Sequence, residues 1–311
     1  MKISALMKSL ILIGLIGMLN PASGVAQNLI KMDNAGCSDG LMALAEVIQV
    51  KINPATPPRK VVGKCEARNV QINAPRAQVS IDVDHVQWNR NGLAPFAKGV
   101  MPDQLNLKLG GVRVTSAPER DPAWVFLANE GAAGRKFDAT LAFSFQSATG
   151  VLDLAAASLD FHNGNTASMT AQLRGISATQ PKNPELAVLS MLVDDLMVSI
   201  HGNRGRENPA MALGLAALQG KIPNGDIEAF KTKATPYIAN ELAAVLSGGS
   251  ISALQELVSD LPRPKGGALL HLNAAGGFPV LRLGLLAKGN KPAKALEGVS
   301  VEFGYGAGIL R

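Results

Sequence analysis

The chain is poor in aromatic residues. Phe, Trp and Tyr together make up 4% of its 311 positions, with only two Trp and two Tyr. An outer-membrane β-barrel needs aromatic girdles at both interfaces, which this chain cannot supply. Lys and Arg outnumber Asp and Glu by 30 to 24, yet no run of five basic residues occurs. Short pairs such as Arg59–Lys60 and Arg135–Lys136 are scattered, so nucleic acid is not an expected partner. Beyond residue 26 no apolar run approaches the roughly 20 residues that span a bilayer. The G-x-S-x-G elbow, the S-x-x-K pair and the Walker loop are all missing. "GYGAG" at 304–308 has neither the third glycine nor the following helix of a dinucleotide fingerprint. These absences favour a protein that is not an enzyme, and no cofactor is expected.

Residues 1–26 read as a signal peptide. Lys2 and Lys8 form a positive leader, "SLILIGLIGML" (9–19) an apolar segment, and Gly24 and Ala26 the small residues of a cleavage site after Ala26. The expected location is the periplasm, with no transmembrane span after cleavage. "AGC" at 35–37 ends like a lipoprotein box, but it lies too far beyond the Pro21 break to act as one. The formal charge of +6 falls to +4 once Lys2 and Lys8 are removed. That leaves room for a mild preference for anionic lipid headgroups.

Two cysteines, Cys37 and Cys65, are the whole complement. In an exported protein an even count points to a disulfide. Closing the loop between them is worth about 3.5 kcal/mol at most in the chain-entropy account. Two isolated thiols do not make a zinc site. The bridge would tie a head segment (27–60) to the first strands of a β-rich domain (61–311).

Periodicity supplies the fold class. In the head segment "SDGLMALAEVIQVKI" reads as a helix capped by Ser38 or Asp39, or as passing into a strand from Val47. "NPATPPRK" (53–60) is a connector. From Val61 the period is two: "RNVQIN", "QVSIDVDHVQW", "QLNLKLGGVRVT", "ATLAFSFQS", "GVLDLAAASLDF", "SMTAQLRGIS" and "DLMVSIHGN" alternate in turn. Such alternation predicts an antiparallel sheet with one buried and one wet face. "HNGN" (162–165) marks a hairpin between strands 151–161 and 168–176. Residues 207–261 then read as a helical block. Asn208 and Pro209 start its first helix, and Gly220 ends it. Phe230, Ile238, Leu242 and Leu246 share a face of the second stretch, which Pro236 kinks or divides. Ser252 and Gln255 suggest a capping box for the last. Strands return at 267–274, at 278–287 across "AGG", and at "SVEFGYG". The expectation is α+β: a twisted antiparallel sheet, a helical layer at about 207–261, and returning C-terminal strands.

One constellation invites chemistry. "VSIDVDHVQW" (79–88) crowds Asp82, Asp84 and His85. On a strand the two aspartates share a face, with Cα atoms about 6.6 Å apart. Val79, Ile81 and Val83 face the other way, but Val86 and Trp88 resume the apolar pattern out of phase. That slip predicts a β-bulge near Asp84–His85 that could bring the imidazole round to the carboxylates. The favoured reading is a solvated strand face with a bulge and no site. A metal or acid–base centre at Asp82, Asp84 and His85 is the lesser one. His162, His201 and His271 show no helix-borne zinc spacing.

The layout has relatives. The phrases "MPDQLNLKLGGVRV" (101–114), "GVLDLAAASLDFHN" (150–163), "DDLMVSIHGNRG", "LAALQG", "ELAAVLSGGSISALQEL" and "GGFPVLRL" resemble, in rhythm, alphaproteobacterial periplasmic proteins built around a domain of unknown function. More distantly they are similar to AsmA-like proteins. The likeness covers residues 78–290. Where such relatives carry P-x-x-P-V in the late strand, this chain has "AGGFPV" (275–280), keeping Pro279 and Val280. The resemblance implies a twisted β-rich periplasmic scaffold and no active site.

Three functions follow as expectations. The first is a non-enzymatic envelope protein binding lipid or another apolar ligand in a groove between sheet and helices, with Phe230, Ile238, Leu242 and Leu246 facing core or ligand. The second is a structural component of an envelope complex, pairing with partner proteins through an exposed edge strand such as 104–115. The third is a metal-dependent or acid–base hydrolase at Asp82, Asp84 and His85.

Overall fold

The structure, a computed structural model, describes residues 35–89, 92–98, 100–119, 121–162, 164–177, 191–202, 209–213, 226–264, 266–280, 282 and 292–306. The signal-peptide segment, Asn208 and Gly220 lie outside them.

Alternating sequence becomes antiparallel sheet, as the period of two requires. The strands are β1 (Lys51–Pro54), β2 (Arg59–Val61), β3 (Lys64–Ala74), β4 (Val79–Asn89), β5 (Gln104–Ser116) and β6 (Phe137–Gln146). They continue with β7 (Val151–Asp160), β8 (Thr166–Arg174), β9 (Leu192–His201), β10 (Gly267–Pro279) and β11 (Ser300–Gly306). All eleven form one sheet in the order β1-β3-β4-β5-β6-β7-β8-β9-β10-β11, with β2 also paired to β3. From β3 onward it is a meander in which every strand pairs with its predecessor. One face carries the core. Cys65, Val83, Trp88, Leu105, Phe143, Leu154, Leu173 and Phe278 belong to a single buried cluster that runs from the first strands to β10. The fold is α+β with the sheet dominant.

The helices sit at the ends of this face. Helix α1 (Ala35–Val47) buries Cys37, Leu41 and Leu44. It lies beside a 3₁₀ turn at Ala94–Lys98, so close that a Cβ on Gly40 would stand 3.0 Å from Leu93 Cβ. The Cys37–Cys65 disulfide fastens α1 to β3, with a Cα–Cα distance of 5.6 Å. Helix α2 (Pro122–Ala132) packs on β5. The Asp121 carboxylate accepts from the Ala123 and Trp124 amides, and Pro122 occupies the first turn, where its missing N–H costs nothing. The sequence signal for this helix start is "DPAWVF" (121–126). Helix α3 (Ile227–Tyr237) contains Pro236 near its end and passes directly into a π turn at Ile238–Leu242. Helix α4 (Gly248–Asp260) follows, and α5 (Pro292–Ala295) precedes β11.

Several local expectations are corrected. The cap of α4 is Ser247, whose hydroxyl accepts from the Ser250 amide, while Ser252 donates back to the Gly248 carbonyl. Ser252 therefore heads no capping box. Helix α1 already includes Ala35, before Ser38, and runs to Val47; the strand expected from Val47 begins only at Lys51, as β1. The "AGG" at 275–277 is no turn: β10 runs through it as one strand and absorbs the extra residues as an irregularity against β9 between Asn273 and Phe278. The strand expected at 278–287 thus ends at Pro279, and residues 283–291 lie outside the described ones. β1 and part of β2 belong to the expected head segment, yet both are strands of the sheet. The hairpin of β7 and β8 and the last strand at 300–306 agree with the sequence reading.

Candidate functional site: an apolar row across the sheet

The registers align one row of side chains across seven strands. Leu107 on β5 pairs with Leu141 on β6, which pairs with Ala157 on β7. Ala157 pairs with Met169, Met169 with Val198, Val198 with Leu270, and Leu270 with Phe303 on β11. Every member is apolar, and every member is half-buried. The neighbouring row is more closed: Leu105, Phe143, Leu154, Ala171 and Leu272 are buried, while Leu196 and Val301, its members on β9 and β11, are half-buried. Across β5–β8 the core face is thus closed along one row and half-open along the next. Six inter-strand steps make the open row about 29 Å long.

At its head the row meets Trp88, which pairs with Leu107 and is 1% exposed. The indole Nε1 of Trp88 is buried and has no hydrogen-bond partner among the described residues. Leaving such a donor unpaired costs about 1–3 kcal/mol.

At its foot the row meets the helical block. The Ser250 hydroxyl of α4 accepts the Phe303 amide at 2.9 Å, and the Tyr305 hydroxyl donates to Asp260 at 2.9 Å. Leu246 forms a parallel bridge to Val301. Helix α4 therefore lies along the outer edge of β11 and occupies donors that an edge strand would otherwise present. Of the four residues expected to line a groove or lid, Ile238 is buried, while Phe230, Leu242 and Leu246 are half-buried. Leu246 is the one that bridges to the sheet strand β11, at Val301.

The opposite face of the sheet is polar and internally paired. Ser168 and Ser199 share a hydrogen bond of 2.7 Å, and Gln172 donates to Asp153 at 2.9 Å. Arg174 forks onto Asp194, whose carboxylate raises the guanidinium pKa further. Asp195 is bonded to His271 at 2.8 Å and to Asn273 at 3.1 Å. The His271 bond, chiefly, holds its carboxyl below the ordinary range, against the opposing effect of partial burial. Glu66, between Arg68 and Arg59, is likewise lowered, chiefly through its hydrogen bond with Arg68.

Asp82, Asp84 and His85 lie on this polar face. Asp82 accepts from Arg113 at 2.9 Å, and Asp84 takes the Lys136 ammonium at 2.7 and 2.9 Å. His85 lies against Gly110. The phase slip predicted at 84–85 is present: Val83 and Val86 are buried, and both residues between them are exposed. It is not a bulge, however. The pairing of β4 with β3 and with β5 keeps one register through residues 82–86. The neighbours slip at the same level, from Ala67 to Val70 with Asn69 at φ +49, and from Leu109 to Val112 with Gly111 at φ +65. The slip turns His85 to the carboxylate face, but both carboxylates are engaged by cations. Among the described residues no group of three or more His, Cys, Asp or Glu side chains could hold a metal.

The expected partner-binding edge is also displaced. β5 is an interior strand, flanked by β4 and β6, so residues 104–115 offer no free edge. Alternation reveals a strand's faces and says nothing about its neighbours.

No protein-family model matches the chain, and no curated protein matches it. No described helix is long and apolar enough to cross a membrane.

Proposed function

We propose that this protein is a non-enzymatic, exported component of the cell envelope that binds a lipid or another apolar ligand along the open row from Leu107 to Phe303. The observation that carries this reading is the row itself: seven consecutive strands, one apolar side chain each, none fully covered. An apolar surface of that extent left partly exposed marks an interaction site. Its length of about 29 Å is roughly twice the hydrocarbon depth of one bilayer leaflet, enough for an extended acyl chain. The helical block between β9 and β10 would serve as the wall or lid, hinged where α4 meets β11. The signal-peptide pattern and the resemblance to AsmA-like periplasmic proteins support an envelope setting.

Purification without detergent followed by mass spectrometry of bound material tests this. The native chain is expected to carry lipid in near-stoichiometric amount. Val198→Glu, which sets a charge in mid-row, is expected to reduce it at least about tenfold, because an unpaired charge in an apolar site is strongly disfavoured. Ligand-free native protein, or equal loading of the variant, would overturn the reading.

A further inference from the structure

The turn joining β2 to β3 presents six consecutive exposed residues, Arg59-Lys60-Val61-Val62-Gly63-Lys64. Val61 pairs with Lys64, so Val62 and Gly63 form a two-residue tip. Gly63 has φ +73, the left-handed conformation that such a turn requires at its second position. Val62 is 97% exposed. A β-branched apolar residue held wholly in water at a tight tip contributes nothing to the core, and it is not cheap to leave there.

Its surroundings say what covers it. Residues 59–64 carry three cations and no acid. Arg59 shares Glu66 with Arg68, but Lys60 and Lys64 have no carboxylate partner among the described residues. The tip is also firmly mounted. Cys65, next in the chain, is bridged to Cys37 of α1, and Lys64 pairs with Asn89 of β4. The other elements at this end of the sheet repeat the pattern. Met42 on α1 is 56% exposed, and Val100, just before β5, is exposed beside Lys98. Four of the six exposed large apolar residues among the described ones, Met42, Val61, Val62 and Val100, therefore belong to elements meeting at this one end.

We propose that the β2–β3 tip docks the protein onto a bilayer bearing anionic headgroups, with Val61 and Val62 entering the headgroup boundary and Lys60 and Lys64 neutralising lipid phosphates. Apolar side chains flanked by lysines are the chemistry of interfacial binding. A binding surface on a folded protein would bury its apolar group in a pocket with a polar rim, whereas a projecting tip with unpaired cations around it matches a fluid, negatively charged surface. With two small apolar side chains the contact is weak and reversible, which suits loading or release of a ligand. The proposal goes beyond the ligand reading and does not need it: the tip and the row are separate surfaces.

The test is co-sedimentation of the exported chain with phosphatidylglycerol-rich and with pure phosphatidylcholine vesicles. Binding is expected to the former, falling steeply between low and physiological salt. Val62→Asp and the double variant Lys60→Glu/Lys64→Glu are each expected to weaken it about tenfold or more. Lys108→Glu on the polar face of β5 serves as the charge control and is expected to bind as the native chain does. Bound-ligand mass spectrometry of the tip variants is expected to be unchanged, which separates failure here from failure of the ligand reading. Equal vesicle binding by native and tip variants, or none by either, overturns the proposal. So does a tip-dependent complex with a co-purified protein in the absence of vesicle binding.

Discussion

The carboxylate of Asp84 occupies the space where Gly111 has no side chain: a Cβ added to Gly111 would stand 2.1 Å from Asp84 Oδ2. The same carboxylate is bound to Lys136, and the Gly111 amide donates to Asp138 at 2.8 Å. Three strands thus share one fault line at this level, and glycine is what lets β5 follow it.

Gly111→Ala is expected to destabilise the fold by about 1–3 kcal/mol, combining a positive φ with the displacement of Asp84 from Lys136. Gly110→Ala is expected to cost less, because the atoms it meets belong to the exposed His85 ring, which can swing away. Urea unfolding of both variants measures the difference. Equal losses would show that the fault line does not depend on Gly111.

Removing the Cys37–Cys65 bridge in a double Ser variant is expected to cost about 2–4 kcal/mol. The loss should be local at first, since Cys37 is the covalent link from α1 to β3. Hydrogen exchange is expected to accelerate in α1 and the Ala94–Lys98 turn before it does in β6–β9.

Ser250→Ala takes from the part-buried Phe303 amide its acceptor, at a cost of about 1 kcal/mol. The helical block should then detach from β11 more often. Faster amide exchange in β11 and α4 with β3–β5 unchanged is the expected signature. If bound ligand exchanges no faster in this variant, the block does not gate the row.

The acid limb of stability follows from Asp195. Its pKa is lowered in the folded chain by the hydrogen bond to His271, and further by that from Asn273. A depressed carboxyl contributes stability that is present above its unfolded value and is lost as the pH falls through its folded value. The window therefore lies below about pH 4. The difference in Tm between the native chain and Asp195→Asn is expected to be steady near neutrality and to shrink below that point. A difference unchanged down to the acid transition would dissociate Asp195 from acid stability.

Much of this architecture was legible in the residues. Alternation exposed the strands from β3 to β9, because a half-buried strand must change polarity at every step. The phase slip from Val83 to Val86 announced an irregularity at Asp84–His85 for the same reason. A lone even pair of cysteines announced the bridge. The Asp121–Pro122 helix start carries an equally local signal, a capping carboxylate followed by proline. The single strand through 275–277 was not legible: glycines there read as a turn, and only pairing with β9 shows the chain continuing straight.

The sequence by itself determined which side of each strand is apolar, since that depends only on neighbours along the chain. Tertiary structure decided what those faces do. Whether β5 is an edge, whether Asp82 and Asp84 meet a metal or meet Arg113 and Lys136, and whether Leu107, Met169, Val198 and Phe303 fall into one open row are all matters of pairing and register between strands. Register depends on turn geometry and on matching the apolar faces of two strands at once, which the alternation within one strand does not show.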